Sequence, residues 1–525
     1  VNPLMTQNIR SLPYFIPEAI LLGTLLLVLV CDLLQVKGKK TLATLPVTVT
    51  GLVACFAVSL NFGMNGDTAS GLFHGMITLD PFALFFKYVF LGSTLFVVLM
   101  SRMGSDIDRK AHAEYHTILI AITLGLMLMA ASTNLLMVYL SLEFVSILSY
   151  VAAGMQPRER RSREAALKYV LYGGAASAFM LYGMSLIYGM TGTTDIYLIR
   201  DTFIANSSYN FTLLFSVALI LAGFGYKIAA APFHMWAPDV YEGSPTAVTA
   251  FFSVAPKAAG FAVLIRVFGT WFSGVGDMGG FGESFTHLVG VMAIATMVVG
   301  NFGAMLQSNI KRFLAYSSIA HAGYLLMGIA MLPNFAEPGF RAILLYVIFY
   351  VFMNFGAFFV GALVMESTDS EDISAFRGLG KRNLMAAIVM AIFMFSLAGL
   401  PPLAGFIGKF YLFAAVIQQL TFFTLLMITV AIITSVVAAF YYFRIVRAMF
   451  LDPSTDTEPQ PTSRLAQVML TILVIPTVVF GVYWTPVIKV VDKGLVTHAP
   501  HVYETQTANT DTDQKESPVA DLKTP

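Results

Sequence analysis

Four ionisable side chains stand inside long apolar runs. Glu143 lies in LLMVYLSLEFVSILSYV and Lys257 in FFSVAPKAAGFAVLI, each near the middle of its run. Lys227 precedes Pro232 by five residues in KIAAAPFHMWAP, and Lys409 follows Pro402 by seven in LAGLPPLAGFIGKF. A charge at the centre of a bilayer costs at least about 2.5 to 3.5 kcal/mol, so such residues face a protein interior or a water-filled cavity and serve a function. Three lysines and one glutamate suit proton transfer. Burial disfavours the charged form of both residue types, and a carboxylate brought close to an ammonium favours it again. An approach of Glu143 to Lys227 would therefore hold the lysine protonated, and separating the two would release the proton. A sodium site would need several oxygen ligands, whereas the central acidic inventory is essentially Glu143.

His234 and His321 are candidate relays, since an imidazole's unperturbed pKa of about 6.5 suits proton exchange. Either serves equally well as a packed core residue. Ser141, Ser146, Tyr150, Ser317 and Ser318 could hold waters between the ionisable groups, and the alternative is helix packing by small residues. Lys87, six residues into its run, and Arg266, near the end of its own, read as side chains that extend to the membrane interface and take no part in transport.

The elements that must position these groups follow from composition. Of 525 residues, 57% are hydrophobic and 12% charged, against roughly 25% charged in soluble chains. This excludes a water-soluble protein. The apolar residues fall into about fourteen runs: 14–34, 41–62, 81–101, 116–132, 134–155, 165–190, 211–243, 245–269, 286–306, 312–332, 340–365, 384–417, 422–450 and 465–490. All but 211–243 and 384–417 are close to the length that crosses a bilayer as a helix. The fold expected is an all-α membrane protein. Lys and Arg gather in the loops after odd-numbered runs, with Arg200 and Arg341 as mild exceptions, which puts those loops in the cytoplasm and both termini on the other side. A net charge of +1 gives no reason to expect nucleic acid. Cys31 and Cys55 are too few for an iron–sulfur or zinc framework, and no nucleotide loop, CxxC pair or haem motif appears. No cofactor is therefore expected in this chain. No cleavable signal is expected either, because no basic segment precedes the first run. Residues 491–525 are rich in Thr, Asp and Pro and read as a disordered tail.

Two runs break the length rule. As one helix, 384–417 would be about 51 Å long against a hydrocarbon core of about 30 Å, and Pro401 and Pro402 supply a break by removing backbone donors. Pro232 interrupts 211–243 in the same way. Broken helices survive in lipid only where their freed backbone groups are buried in protein or face water. These runs are the seventh and twelfth, five apart, so equivalent elements cross the membrane in opposite directions. That is the pattern of an inverted repeat with a transport site near the midplane. The repeats would be runs four to eight, 116–269, and nine to thirteen, 286–450. Three helices in 1–115 precede them and 465–490 follows. The alternative is two unrelated proline kinks.

The stretch KIAAAPFHMWAPDVYEGSPTAVTAFFSVAPKAAGF, from Lys227 to Phe261, resembles the signature of the antiporter-like membrane subunits of respiratory complex I, the proton-translocating NADH:quinone oxidoreductase. NIKRFLAYSSIAHAGYLL and LAGLPPLAGFIGKF resemble that family too, and the likeness in run order extends from about 14 to 490. YEGSPTAVTAFFSVAPK is most similar to one branch of it. The resemblance implies a fourteen-helix core with two inverted five-helix repeats, each with a broken helix, acting as one proton-pumping module in the bacterial cytoplasmic membrane. It implies other membrane subunits of the complex as partners, the paralogous antiporter-like ones included. FMN, iron–sulfur clusters and quinone would be held by partner subunits. The family's carboxylate on span five falls on Glu143, its lysine on span seven on Lys227, its connecting lysine on span eight on Lys257 and its exit-side residue on span twelve on Lys409. The acidic loop ESTDSEDISAF receives no role. Two other readings stand beside this one: a subunit of a multisubunit sodium/proton antiporter, and a scaffold that conducts nothing.

Overall fold

A helix satisfies its own backbone hydrogen bonds, which is why apolar runs cross lipid in this form. In a computed structural model, which describes residues 3–34, 44–104, 106–107, 111–206, 211–272, 280–453 and 462–495, each run becomes helical, three of them as two helices each. They are α1 Met5–Leu33, α2 Thr44–Asn65, α3 Pro81–Ser101, α4 His112–Ala131, α5 Leu135–Ala153 and α6 Arg160–Thr191. Next come α7a Phe211–Ile228 and α7b Trp236–Gly243, α8 Thr246–Phe272, α9 Phe281–Met305, α10 Ile310–Ala330 and α11 Glu337–Thr368. The set closes with α12a Leu384–Ala398, α12b Ala404–Ile417, α13 Phe422–Phe450 and α14 Arg464–Val482. Thirteen of the described helices are long and apolar enough to cross a membrane, and the halves of α12 are shorter apolar helices. The chain is a multi-pass membrane protein.

α8 is the axis of the bundle. Its most apolar stretch is wholly buried, packed against α3, α4, α5, α7a, α10 and α11. The outer helices α1, α2, α13 and α14 instead turn large apolar residues such as Leu26, Val53, Val436 and Ile472 outward, as lipid-facing surfaces do. α9 and α10 approach closely at Gly300, where a Cβ would come 2.4 Å from the Ala320 backbone nitrogen. Only glycine fits there.

Both expected breaks are present. α7a ends at Ile228, and Ala229 takes a positive φ of 58°. α12a ends at Ala398, and Gly399 takes φ 89°. The acidic loop acquires a structural place: Glu371 pairs with Lys311 at 2.6 Å and accepts a hydrogen bond from Asn309, lashing the loop to the start of α10.

The end of the chain departs from the single span expected at 465–490. α14 stops at Val482, and a separate helix, α15 Thr485–Gly494, begins with Pro486 in its first turn. Val487 and Val491, one turn apart, are buried while Lys489 and Val490 are exposed, so α15 packs on α3 and α11 by one face. Asp492 pairs with Arg341 at 2.8 Å. The first residues of the expected tail are thus helical, and 496–525 lie outside the described residues.

Candidate proton-transfer site

The last turn of α7a carries Lys227, 2% exposed. Its Nζ donates to Ser146 Oγ on α5 at 3.1 Å. Glu143 lies three residues before Ser146, on the same side of α5. It is half-buried and accepts a hydrogen bond from Ser177 on α6. No direct ion pair joins Lys227 to Glu143 among the described residues; Lys227 bonds to Ser146 and Glu143 to Ser177. Other groups serve the break itself. The Ala231 N–H donates to Thr296 Oγ1 at 2.9 Å, and Trp236 Nε1 donates to the Tyr226 carbonyl at 3.0 Å.

Lys257, on the axial helix, donates to Ser318 Oγ on α10 at 2.5 Å and lies 5.7 Å from the Tyr241 ring centroid. Beside it is a cavity of about 10 Å³ lined by Lys257, Ser318, His321 and Tyr350 among others, roughly the space of one water. His321, one turn beyond Ser318, contacts the Tyr346 hydroxyl through Nδ1 at 2.5 Å and the Tyr442 hydroxyl through Nε2 at 3.3 Å. Tyr442 in turn meets Ser317 at 2.5 Å.

Lys409, on α12b, reaches back across its break. Its Nζ donates to the Ala398 carbonyl at 3.0 Å and to Ser435 Oγ at 3.3 Å, and it lies 4.6 Å from the Tyr324 ring centroid. Ser435 donates to the Tyr324 hydroxyl at 3.1 Å, which also receives Asn301 at 3.3 Å. Each of these three buried lysines therefore bonds to a hydroxyl, Lys227 to Ser146, Lys257 to Ser318 and Lys409 to Ser435, and hydroxyls and imidazole are groups able to exchange protons.

His321 belongs to the Lys257 group, sharing its cavity with Ser318. His234 stands in the first break, 8% exposed, but no hydrogen bond joins it to Lys227, Lys257 or Lys409 among the described residues. Among the small polar residues, Ser146 and Ser318 bond to Lys227 and Lys257 and Ser317 to Tyr442, whereas among the described residues Ser141 bonds only to carbonyls of its own helix. Tyr324, Tyr346, Tyr442, Asn301 and Ser435 join the surroundings of His321 and Lys409 without having stood out in the sequence. A signal for part of this set exists there: Ser317, His321 and Tyr324 recur at the spacing of one helix face.

Lys87 and Arg266 do not extend to the interface. Lys87 pairs with Glu18 on α1 at 2.7 Å, both side chains 2% exposed. Arg266 is 3% exposed and paired with Asp80. Each has a carboxylate within reach inside the bundle, so the long aliphatic stem turns inward toward it.

The model of the family described as NADH:quinone oxidoreductase/Mrp antiporter, TM, matches residues 132–435. NADH-quinone oxidoreductase subunit N of Anaeromyxobacter sp. (strain Fw109-5) is 43% identical over 93% of this chain and 97% of its own. This chain belongs to the NADH-quinone oxidoreductase subunit N family. A chain of respiratory complex I from Thermus thermophilus with bound aureothin superposes with a TM-score of 0.74 and 30% identity, covering 90% of this chain and 98% of that one. A chain of the Mrp complex from Dietzia sp. DQ12-45-1b shares the fold, with a TM-score of 0.78, 20% identity and coverage of 95% and 98%. The subunit N assignment agrees with the wording YEGSPTAVTAFFSVAPK, which resembles that subunit more than its paralogues M and L.

Proposed function

We propose that this chain is a non-redox, proton-translocating membrane subunit of NADH:quinone oxidoreductase, driven by quinone reduction in other subunits. The observation that carries this reading is that three buried lysines each bond to a hydroxyl, Lys227 to Ser146, Lys257 to Ser318 and Lys409 to Ser435, with His321 on the cavity beside Lys257. Protons enter from the cytoplasm, charge Lys227 and Lys257, pass to Lys409 and leave on the far side. Glu143 tunes Lys227 through the α5 turn that carries Ser146. The two broken helices belong to two inverted five-helix repeats, spans four to eight and nine to thirteen. FMN, iron–sulfur clusters and quinone sit in partner subunits, and the paralogous antiporter-like subunits are among the membrane neighbours. The location is the bacterial cytoplasmic membrane, with both termini on the non-cytoplasmic side.

The test is NADH-driven proton pumping and quinone reductase activity in membrane vesicles carrying Lys227→Ala, with assembly followed on native gels. The expected result is an assembled complex in which both activities fall sharply. Normal assembly, turnover and pumping would remove Lys227 from the path and favour the scaffold.

A further inference from the structure

α8 bears Lys257 directly after Pro256, which has no N–H to give to the carbonyl one turn earlier. The helix is therefore least restrained by its own hydrogen bonds beside the residue whose placement matters. Its ends are restrained from outside. At one end the Thr246 N–H donates to Asp106 Oδ2 at 2.8 Å. At the other, the Arg266 guanidinium donates to both oxygens of Asp80, by Nη1 to Oδ2 and by Nη2 to Oδ1 at 3.0 Å. It also donates to the Ala130 carbonyl, from Nε at 3.2 Å and Nη2 at 2.8 Å, and lies 4.7 Å from the Phe82 ring centroid.

Both carboxylates flank the same helix. Asp80 is the residue before α3 and caps it by accepting the Ala83 N–H at 2.7 Å, while Asp106 follows its far end. α3 and α8 thus lie antiparallel, stapled at top and bottom. Ala130 lies in the last turn of α4, where carbonyls lack a partner within their own helix. One guanidinium fork consequently joins α8, α3 and α4, with the directional fit of a bidentate pair. Arg266 follows Lys257 by nine residues, about half a turn out of phase at 3.6 residues per turn. The clamp therefore holds the face of α8 opposite the lysine.

We propose that Asp80, Arg266 and Asp106 are positioning residues for proton transfer, fixing α8 against α3 from both ends so that Lys257 is presented to Ser318. This rests on the proton-translocating reading above. It also gives a purpose to the helices that precede the expected repeats, since α3 becomes the rail on which the axial lysine is set.

The experiment uses the whole complex in membranes, with activities expressed per assembled complex. Arg266→Lys keeps the buried charge and removes the fork. Asp106→Ala disturbs the other end without leaving a buried charge unpaired. Both are expected to assemble, to leave the quinone KM unchanged, and to lower the kcat of coupled turnover on the order of tenfold, the cost of small misplacement at a reacting group. The double variant should lower it further, and the protons pumped per electron should fall with it. Wild-type kcat and pumping ratio in both assembled variants would overturn the proposal, as would losses that vanish once corrected for assembly. If Arg266→Lys does not accumulate, Asp106→Ala decides alone. Lys257→Met, measured in parallel, separates the two levels. Normal pumping there would defeat the proton-transfer reading itself, while lost pumping beside unaffected clamp variants would defeat only the clamp.

Discussion

At the break in α7 the lysine sits in the last turn of the first half-helix and bonds to another helix, whereas at the break in α12 it sits in the second half and bonds back across the gap. Lys227 bonds to Ser146 on another helix, and the freed backbone beside it is served by Thr296 and Trp236. Lys409 itself serves the Ala398 carbonyl, the last of α12a. A helix C-terminus carries about half a negative charge, so Lys409 faces a fixed backbone dipole. Lys227 also lies at the C-terminal end of a half-helix, its own, but its Nζ bonds to a side-chain hydroxyl of α5 rather than to a carbonyl, and Glu143 lies three residues before that serine. The same residue type beside two similar breaks is thus held in two ways, one built into the backbone and one dependent on a side chain that can move.

The largest test of that difference is Lys409→Ala against Lys227→Ala. The first leaves a buried carbonyl without its partner, a loss of about 1 to 3 kcal/mol. The second leaves Ser146 with its bond to the Leu142 carbonyl at 2.7 Å. Thermal unfolding of the detergent-solubilised complex should fall clearly for Lys409→Ala and little for Lys227→Ala, though both lose pumping. Equal destabilisation would erase the distinction.

The turn residues offer the next test. Gly399→Ala places a Cβ at φ 89° and 2.9 Å from Lys409 Cδ, and should cost about 1 to 3 kcal/mol, read by the same melt and accompanied by reduced pumping. At the other break Ala229 already holds φ 58°. Ala229→Gly should raise stability by up to about 1 kcal/mol, and an unchanged or lower melting temperature would count against strain at that turn.

The smallest effect separates the hydroxyls. Ser146→Ala removes the hydrogen-bond acceptor described for Lys227, whereas Ser435→Ala leaves Lys409 its carbonyl. Proton-pumping rates should fall several-fold for the first and less for the second, given about 1 kcal/mol for one hydrogen bond. The reverse ranking would mean that the carbonyl does not anchor Lys409.

Much of this is legible in the sequence because bilayer thickness acts on one helix at a time. The overlong run at 384–417 and the mid-span Glu143 and Lys257 stand out without knowledge of any neighbour. Contacts between distant segments do not. Arg266 reads as an interface residue because its carboxylate partner lies 186 positions away, and Lys87 reads the same way because Glu18 belongs to another span. The carbonyl of Ala398 carries no sequence signal at all: its role arises from where Gly399 turns the chain. Hydropathy merges α15 with α14 because it averages over Tyr483 and Trp484, where the chain changes direction.

The enclosure of α8 also bears on the order in which the protein can be built. A chain that emerges from its N-terminus presents α3, α4 and α8 before α10 and α11 have been synthesised, so Arg266 can find Asp80 and Ala130 while Lys257 still lacks Ser318. The half-made protein would then already hold its axial helix by the far end, leaving one charged face open as a berth for the helices that arrive last.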